Sequence, residues 1–338
     1  MSKTPKRELA IDTEKVELFI SKVIRKNILP NAILESSFAM GAMHVKKFKH
    51  ASVGSLTTFE NYRESNYCYE GTYKFIHYTN VQNLTSIIRE KKIRLYDLRG
   101  MDDKDEFDFG YTKVLKKDPL QNLIELKKHV FCLSMCKYEL ENKEQSLNMW
   151  RQFGGDGHGV GIVLKFSKQN RYKWVNYILS QMYYGESCLE PLHNTYEKYK
   201  EFSKKNDFIV RNFEHLLCKL FCCHKQHIYK NEKEVRLIYS KDFSVYPLDN
   251  VKTDLNNKAI ATSYHELELE WDKWKQYPDK YKKRGKTVYP QVTIDKIVFG
   301  YRISDEMKEN IIKTLGAYRK NYRSFPTFED SPLRKYFQ

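Results

Sequence analysis

The sequence predicts an α+β protein. Short β-like runs recur along the chain, among them FIHYT, KIRLYD, HVFCLSM, HGVGIVLKF, KEVRLIYS and TIDKIVFG. Only some of the gaps between them carry helical periodicity, which argues against the regular strand–helix alternation of a doubly wound sheet. The chain has 338 residues, 41% of them hydrophobic, enough to bury a sizeable core.

The elements follow in order. Residues 13 to 27 place Val16, Phe19, Ile20, Val23 and Ile24 on one helical face, with Asp12 or Thr13 as cap. Residues 28 to 70 are irregular, so 1–70 is expected to be a helical lead-in. FIHYT then reads as a strand, NVQNLTSIIREKK as a helix and KIRLYD as a strand. DPLQNLIELKKH is helical, HVFCLSM a strand, SLNMWRQFG a short helix and HGVGIVLKF a strand, followed by the apolar run KWVNYIL. One or two helices fill 194 to 228, and KEVRLIYS is a strand. Residues 242–290 look like a polar insertion, with DNVKTDLNNK as loop. TIDKIVFG closes the strand set, and Ser304 caps a helix in SDEMKENIIKTLGAYRK. These elements make 71–320 the main domain and 321–338 a tail.

Composition narrows the class. No apolar run approaches the roughly 20 residues of a membrane span, and the basic N-terminus lacks the apolar stretch of a secretory signal. Seven cysteines without a short disulfide framework suit a reducing cytoplasm. The net charge of +16, from 59 Lys and Arg against 43 acids, favours RNA or DNA as partner, although Lys-rich coding alone can produce such a surplus.

Four stretches carry chemistry together: IHYTNVQNLTSII, LYDLRGMDDKDEFD, MWRQFGGDGHGVGIVLKF and YKNEKEVRLIY. Their order and spacing resemble a bacterial family of uncharacterised domains placed in the ADP-ribosyltransferase superfamily. The resemblance covers about residues 73 to 315 and rests chiefly on the Met-Trp…Gly-His-Gly block (Met149–Gly161) paired with E-x-E-x-R (Glu232–Arg236). It implies a split antiparallel or mixed β core with flanking helices. It also implies an NAD-dependent enzyme in which NAD is co-substrate and no metal is needed. His77 occupies the first-strand position that holds the adenosine-side ribose, beside Tyr78 and Thr79, and Tyr96 the second-strand position against the nicotinamide. With Glu234 they would form an H-Y-E-like triad, while Tyr78 or Trp150 could supply the stacking ring instead.

The residues support parts of this without the family. Splitting the nicotinamide–ribose bond passes through an oxocarbenium-like state that a carboxylate stabilises. E-x-E on a strand would put Glu232 and Glu234 on one face, one for the ribose and one to orient the acceptor. Glu234, opening KEVRLIY, is expected in the first role, although Glu232 could exchange with it. The alternative is a solvated strand face with Arg236 as ion partner.

Other motifs are weaker. The acidic run from Asp102 to Asp108 fits no EF-hand loop and suits a solvated or capping turn; with Glu232 or Glu234 it would instead suggest a metal nuclease. GGDGHGVG lacks the Lys-Ser/Thr of a P-loop and reads as a tight approach, with His158 a candidate near the ligand. CKLFCCHKQH offers Cys218, Cys222, Cys223, His224 and His227, but no second ligand pair exists for structural zinc, so buried thiols are expected. Lys225 and His227 could line the same cleft as E-x-E. WDKWKQYPDKYKKRGK interleaves rings with Lys282, Lys283 and Arg284, a pattern suited to nucleic acid or to a solvated loop. The combined expectation is transfer of ADP-ribose to RNA or DNA by a cytoplasmic toxin or phage-defence effector with a neutralising antitoxin protein. The rivals are a non-enzymatic nucleic-acid binder, a metal nuclease and a transferase acting on protein.

Overall fold

The computed structural model describes residues 13–32, 37–38, 49–53, 62, 64–100, 105–116, 127–139, 143–167, 174, 177–206, 208–210, 213–240, 251–255, 261–269 and 290–337. Helix α1 (Thr13–Phe19) runs on as a π-helical turn over Ile20–Arg25, burying Ile20, Val23 and Ile24. β1 (Ser37–Phe38) and β2 (Lys49–Val53) follow. FIHYT lies in β3 (Lys74–Thr79), the next segment in α2 (Val81–Glu90), and KIRLYD is β4 (Lys92–Asp97). The Asn80 side chain caps α2 by accepting from the Asn83 N–H, and Lys91 ends the helix in the left-handed conformation.

Next come α3 (Asp105–Leu115), β5 (Val130–Lys137), α4 (Lys143–Phe153) and β6 (Val160–Phe166). The expected helix at 118–129 lies mostly outside the described residues. β7 (Tyr177–Gln181), β8 (Tyr183–Tyr184), α5 (Glu190–Asn206), β9 (Phe208–Val210) and α6 (Phe213–Phe221) complete the middle of the chain. β10 (His224–Lys225) leads through a 3-10 turn (His227–Glu232) into β11 (Glu234–Ser240). The remainder is β12 (Val251–Leu255), β13 (Ala261–Glu268), β14 (Val292–Phe299), α7 (Asp305–Gly316) and β15 (Thr327–Asp330). The Ser304 hydroxyl accepts from the Met307 N–H, as the capping pattern requires.

The protein is α+β, built on a ten-stranded mixed sheet. β5 is its hub. One edge of β5 pairs antiparallel with β11 from Val130 to Cys136, and β11 in turn pairs with β7. The other edge is shared. Phe131 and Cys132 face Asp97 and Tyr96 of β4, whereas Cys136 and Lys137 face Ile76 and Phe75 of β3. From there β3 leaves to pair with β6, which leads to β14 and β15, and β4 leaves toward β13 and β12. The sheet therefore forks at Ser134, where no strand partner covers that edge of β5 among the described residues.

Side-chain alternation along β5 and β11 builds the layers. Leu133, Met135, Val235, Leu237 and Phe75 share one core with Leu84 and Ile88 of α2 and Ile311 and Leu315 of α7. On the opposite face Cys132 and Ile238 join Phe19, Tyr111, Phe213, Leu217 and Phe221 from the helices. Ile76, Cys136, Met149, Trp150 and Val163 form a separate cluster there. Ser134 lies on that face between Cys132 and Cys136 and is exposed, so the two clusters leave an opening above the fork.

The expected boundaries at 70, 242 and 320 are crossed by sheet and core. Phe19 packs against Tyr199, Phe202 and Phe213, with ring centroids 5.5 to 5.8 Å apart. DNVKTDLNNK is not simply loop, because it contains β12. Residues 242–290 are not an insertion beside the sheet either, since β12 and β13 extend one arm of it. The tail supplies β15, parallel to β14, and the Tyr322 hydroxyl donates to the Ile88 carbonyl at 2.7 Å. Among the described residues no helix is long and apolar enough to cross a membrane.

Candidate functional site

A cleft of about 660 Å³ opens above the fork. That volume is within the range of small-molecule sites, roughly 300–1,000 Å³. Its walls come from β3 (Ile76, His77, Tyr78), β4 (Arg94, Tyr96), β5 (Cys132 to Cys136) and the segment from Lys225 to Arg236. Met149, Gln152 and Phe153 of α4 close one side.

His77 sits at the fork because the fork needs it. Its Nδ1 is 2.9 Å from the Ser134 carbonyl oxygen, on the stretch of β5 that neither neighbour strand covers. A carbonyl only accepts, so Nδ1 carries the proton and donates. Burial lowers the pKa of His77, against a smaller opposite effect of the bond to Ser134. The ring is thus neutral, and its Nε2 is an acceptor.

Glu232 and Glu234 arrive differently from expectation. Only Glu234 is on the strand. Glu232 closes the 3-10 turn, and Lys233 between them is left-handed at φ 46°. This turn, rather than strand pleating, brings both carboxylates to one cation. The Lys225 Nζ lies 2.7 Å from Glu232 Oε2 and 2.7 Å from Glu234 Oε2. Arg236, two residues along β11, donates from Nε to Glu234 Oε1 at 2.7 Å and from Nη1 to the Cys222 carbonyl at 2.9 Å. The Tyr184 hydroxyl accepts from the Glu234 N–H at 2.9 Å. A solvated strand face is excluded, because Arg236 is 1% exposed and Glu234 5%.

Burial alone would raise the pKa of Glu234. Arg236 and Lys225 outweigh it and hold the carboxyl at about 2, so Glu234 is ionised across the physiological range. Lys225 and Arg236 balance Glu232 and Glu234 in formal charge. Burial, reinforced by the negative charges of Glu234 and Glu232, pushes the Cys136 thiol up, which makes it a poor nucleophile.

The cleft brings together His77, Tyr78, Tyr96, Glu232 and Glu234. Tyr96 is 41% exposed and presents an aromatic face beside Tyr264, ring centroids 5.9 Å apart. Tyr78 stands edge-on to Trp150 at 4.8 Å. Trp150 itself is buried in the cluster behind and does not line the cleft. Thr79 is also outside: it is buried, and its hydroxyl accepts from Asn83 Nδ2 at 3.1 Å. His158 is exposed at the end of the 3-10 turn Gly155–Gly157, away from the cleft lining. The glycine block serves packing. A Cβ on Gly159 would lie 2.4 Å from the Thr79 carbonyl oxygen, so only glycine permits this approach of the loop to β3.

Lys282, Lys283 and Arg284 lie outside the described residues, as does Asp102. Asp108 is salt-bridged to Lys127 at 2.6 Å and does not line the cleft. Among the described residues no three His, Cys, Asp or Glu side chains are placed to hold a metal ion. Cys218, Cys222 and Cys223 are buried free thiols, and the His224 Nε2 is 3.1 Å from the Tyr67 hydroxyl. His227 does not line the cleft, whereas Lys225 does.

Sequence reading did not single out Arg94, Ser134 or Tyr229 as cleft residues. Arg94 had an available signal: two residues before Tyr96 on KIRLYD, it shares that residue's face of the strand. Compared with family models, curated proteins and solved structures, the chain matches none.

Proposed function

We propose that the chain is an NAD-dependent ADP-ribosyltransferase with a forked, ADP-ribosyltransferase-like sheet. The observation that carries this reading is the convergence of His77, Tyr96 and Glu234 on one cleft. They come from three strands, two of them close in sequence and the third more than a hundred residues on, and meet where β3 and β4 part from β5.

Each residue has a task suited to its state. The neutral His77 offers Nε2 to a ribose hydroxyl while Nδ1–H is committed to Ser134. The exposed ring of Tyr96 gives the flat nicotinamide a face to pack on. Glu234 is ionised and fixed by Arg236 and Lys225 before any substrate arrives, so orienting it costs nothing at the moment of reaction. NAD supplies a glycosidic bond whose cleavage develops positive charge at the ribose, and the carboxylate edge of the cleft favours that charge. Glu232, joined to Glu234 through Lys225, orients the acceptor.

The acceptor in this reading is RNA or DNA. The charge of +16 and the Lys282–Arg284 segment with its neighbouring rings support it. An enzyme that modifies nucleic acid endangers its own cell, which fits a cytoplasmic toxin or phage-defence effector held by a protein antitoxin. Incubation with NAD labelled in the ADP-ribose moiety, plus total RNA, DNA or cell protein, tests the reading. Label on RNA or DNA is expected. Label on protein alone would move the acceptor, and magnesium-dependent cutting without NAD would replace the transferase with a nuclease.

A further inference from the structure

We propose that Arg94 is the phosphate ligand of the cleft and takes the diphosphate of the dinucleotide; the identity of that ligand rests on the NAD reading above. Among the described residues three cations line the cleft: Arg94, Lys225 and Arg236. Lys225 and Arg236 are each held at 2.7 Å by the buried carboxylates of Glu232 and Glu234, two charges against two. Among the described residues Arg94 has no such buried carboxylate. Its ion pair, to Asp254, is long at 3.5 Å, and that side chain is 59% exposed, so water and salt screen it.

Arg94 is nevertheless held in place. Its guanidinium lies 4.2 Å over the Tyr264 ring and is hydrogen-bonded to the Tyr96 side chain on the same face of β4. The carboxylates on the β11 side are matched by Lys225 and Arg236, whereas the guanidinium on the β4 side has only the screened pair with Asp254. The ligand is a flat nicotinamide ring followed by phosphates, and β4 offers it an exposed aromatic face and a guanidinium. Arg94 and Tyr96 are two residues apart on one face of β4, a separation of roughly 7 Å along the strand. The ring meets Tyr96, and the phosphates meet Arg94. A planar guanidinium can grip phosphate oxygens with two parallel N–H donors, which an ammonium cannot do.

The test is a calorimetric titration of the full chain with NAD, nicotinamide riboside and inorganic diphosphate. Wild type is compared with Arg94→Gln, Arg94→Lys and Asp254→Asn, with matching melting temperatures as the check on folding. Arg94→Gln should weaken NAD by about 10- to 100-fold, since a charge-assisted pair is lost. It should leave nicotinamide riboside, which has no diphosphate, essentially unchanged. Arg94→Lys should fall between, and Asp254→Asn, which removes the competing carboxylate, should tighten both phosphate-bearing probes. Wild-type NAD affinity in Arg94→Gln would overturn the assignment of Arg94 and leave the NAD reading intact. Arg94-dependent binding of inorganic diphosphate, with no binding of NAD to any variant, would keep the phosphate site and sink the NAD reading. Equal losses for NAD and nicotinamide riboside would show general damage to the cleft and count against the proposal.

Discussion

Lys225→Met removes the cation shared by Glu232 and Glu234. Both Oε2 atoms lie 2.7 Å from Nζ, so they are no more than about 5.4 Å apart, twice that distance. At such a separation two like charges repel by about 3 kcal/mol with an effective dielectric constant of about 20. Arg236 still faces Glu234, but the ammonium that met both acids is gone. Breaking a buried ion pair from one side typically costs about 3–5 kcal/mol. The variant has an escape, because one carboxyl can take a proton. Relief worth about 3 kcal/mol corresponds to a rise of about 2 pKa units. The deficit should therefore depend on pH: about 4 kcal/mol at pH 7.5 and roughly half of that at pH 5. Urea denaturation of both proteins at the two pH values measures it, with Lys225→Arg restoring most of the loss. A Lys225→Met protein within about 1 kcal/mol of wild type at pH 7.5 would refute the reasoning. So would a deficit identical at both pH values.

Three further outcomes are expected. The pKa of Glu234 is lowered from 4.5 to about 2, so its pairing contributes about 3 kcal/mol of stability; that contribution is complete above pH 4.5 and lost as pH falls through 2, and the wild-type acid unfolding limb should flatten in Glu234→Gln. Gly159→Ala should destabilise by about 1–3 kcal/mol through overpacking against Thr79, seen as a lower urea midpoint with an unchanged slope. Tyr96→Ala should weaken NAD in a binding titration by about 0.5–1.5 kcal/mol while leaving the urea midpoint nearly where it was, because the ring is exposed.

Much of the fold was legible because apolar spacing reports burial. KIRLYD is a strand over its whole length, and Ser304 caps its helix as its spacing with the following acids implied. β12 was not legible, since it is an edge strand whose side chains from Lys252 to Leu255 are exposed and carry no alternation. β15 was hidden for a similar reason: Thr327 and Asp330 are exposed, and its register against β14 depends on parts of the chain some thirty residues away. In the cleft, residue types on strands were readable, and His77, Tyr96 and Glu234 converge. Thr79 and Trp150 were indistinguishable from cleft residues by sequence. Their removal from it depends on an α2 side chain and on the packing behind Tyr78. The link from Lys225 to both acids needed the left-handed Lys233, which nothing in NEKEV announces.

On the proposed reading, Glu234 stabilises charge developing on the ribose of NAD. The direct measurement is nicotinamide release from NAD by wild type and by Glu234→Gln, with NAD affinity measured on the same samples. Glu234→Gln should release nicotinamide about 10²–10³ times more slowly with nearly unchanged affinity, because the lost interaction acts in the transition state. Glu232→Gln should slow transfer to nucleic acid more than transfer to water. No nicotinamide release by wild type, or equal rates in wild type and both glutamine variants, would contradict the account.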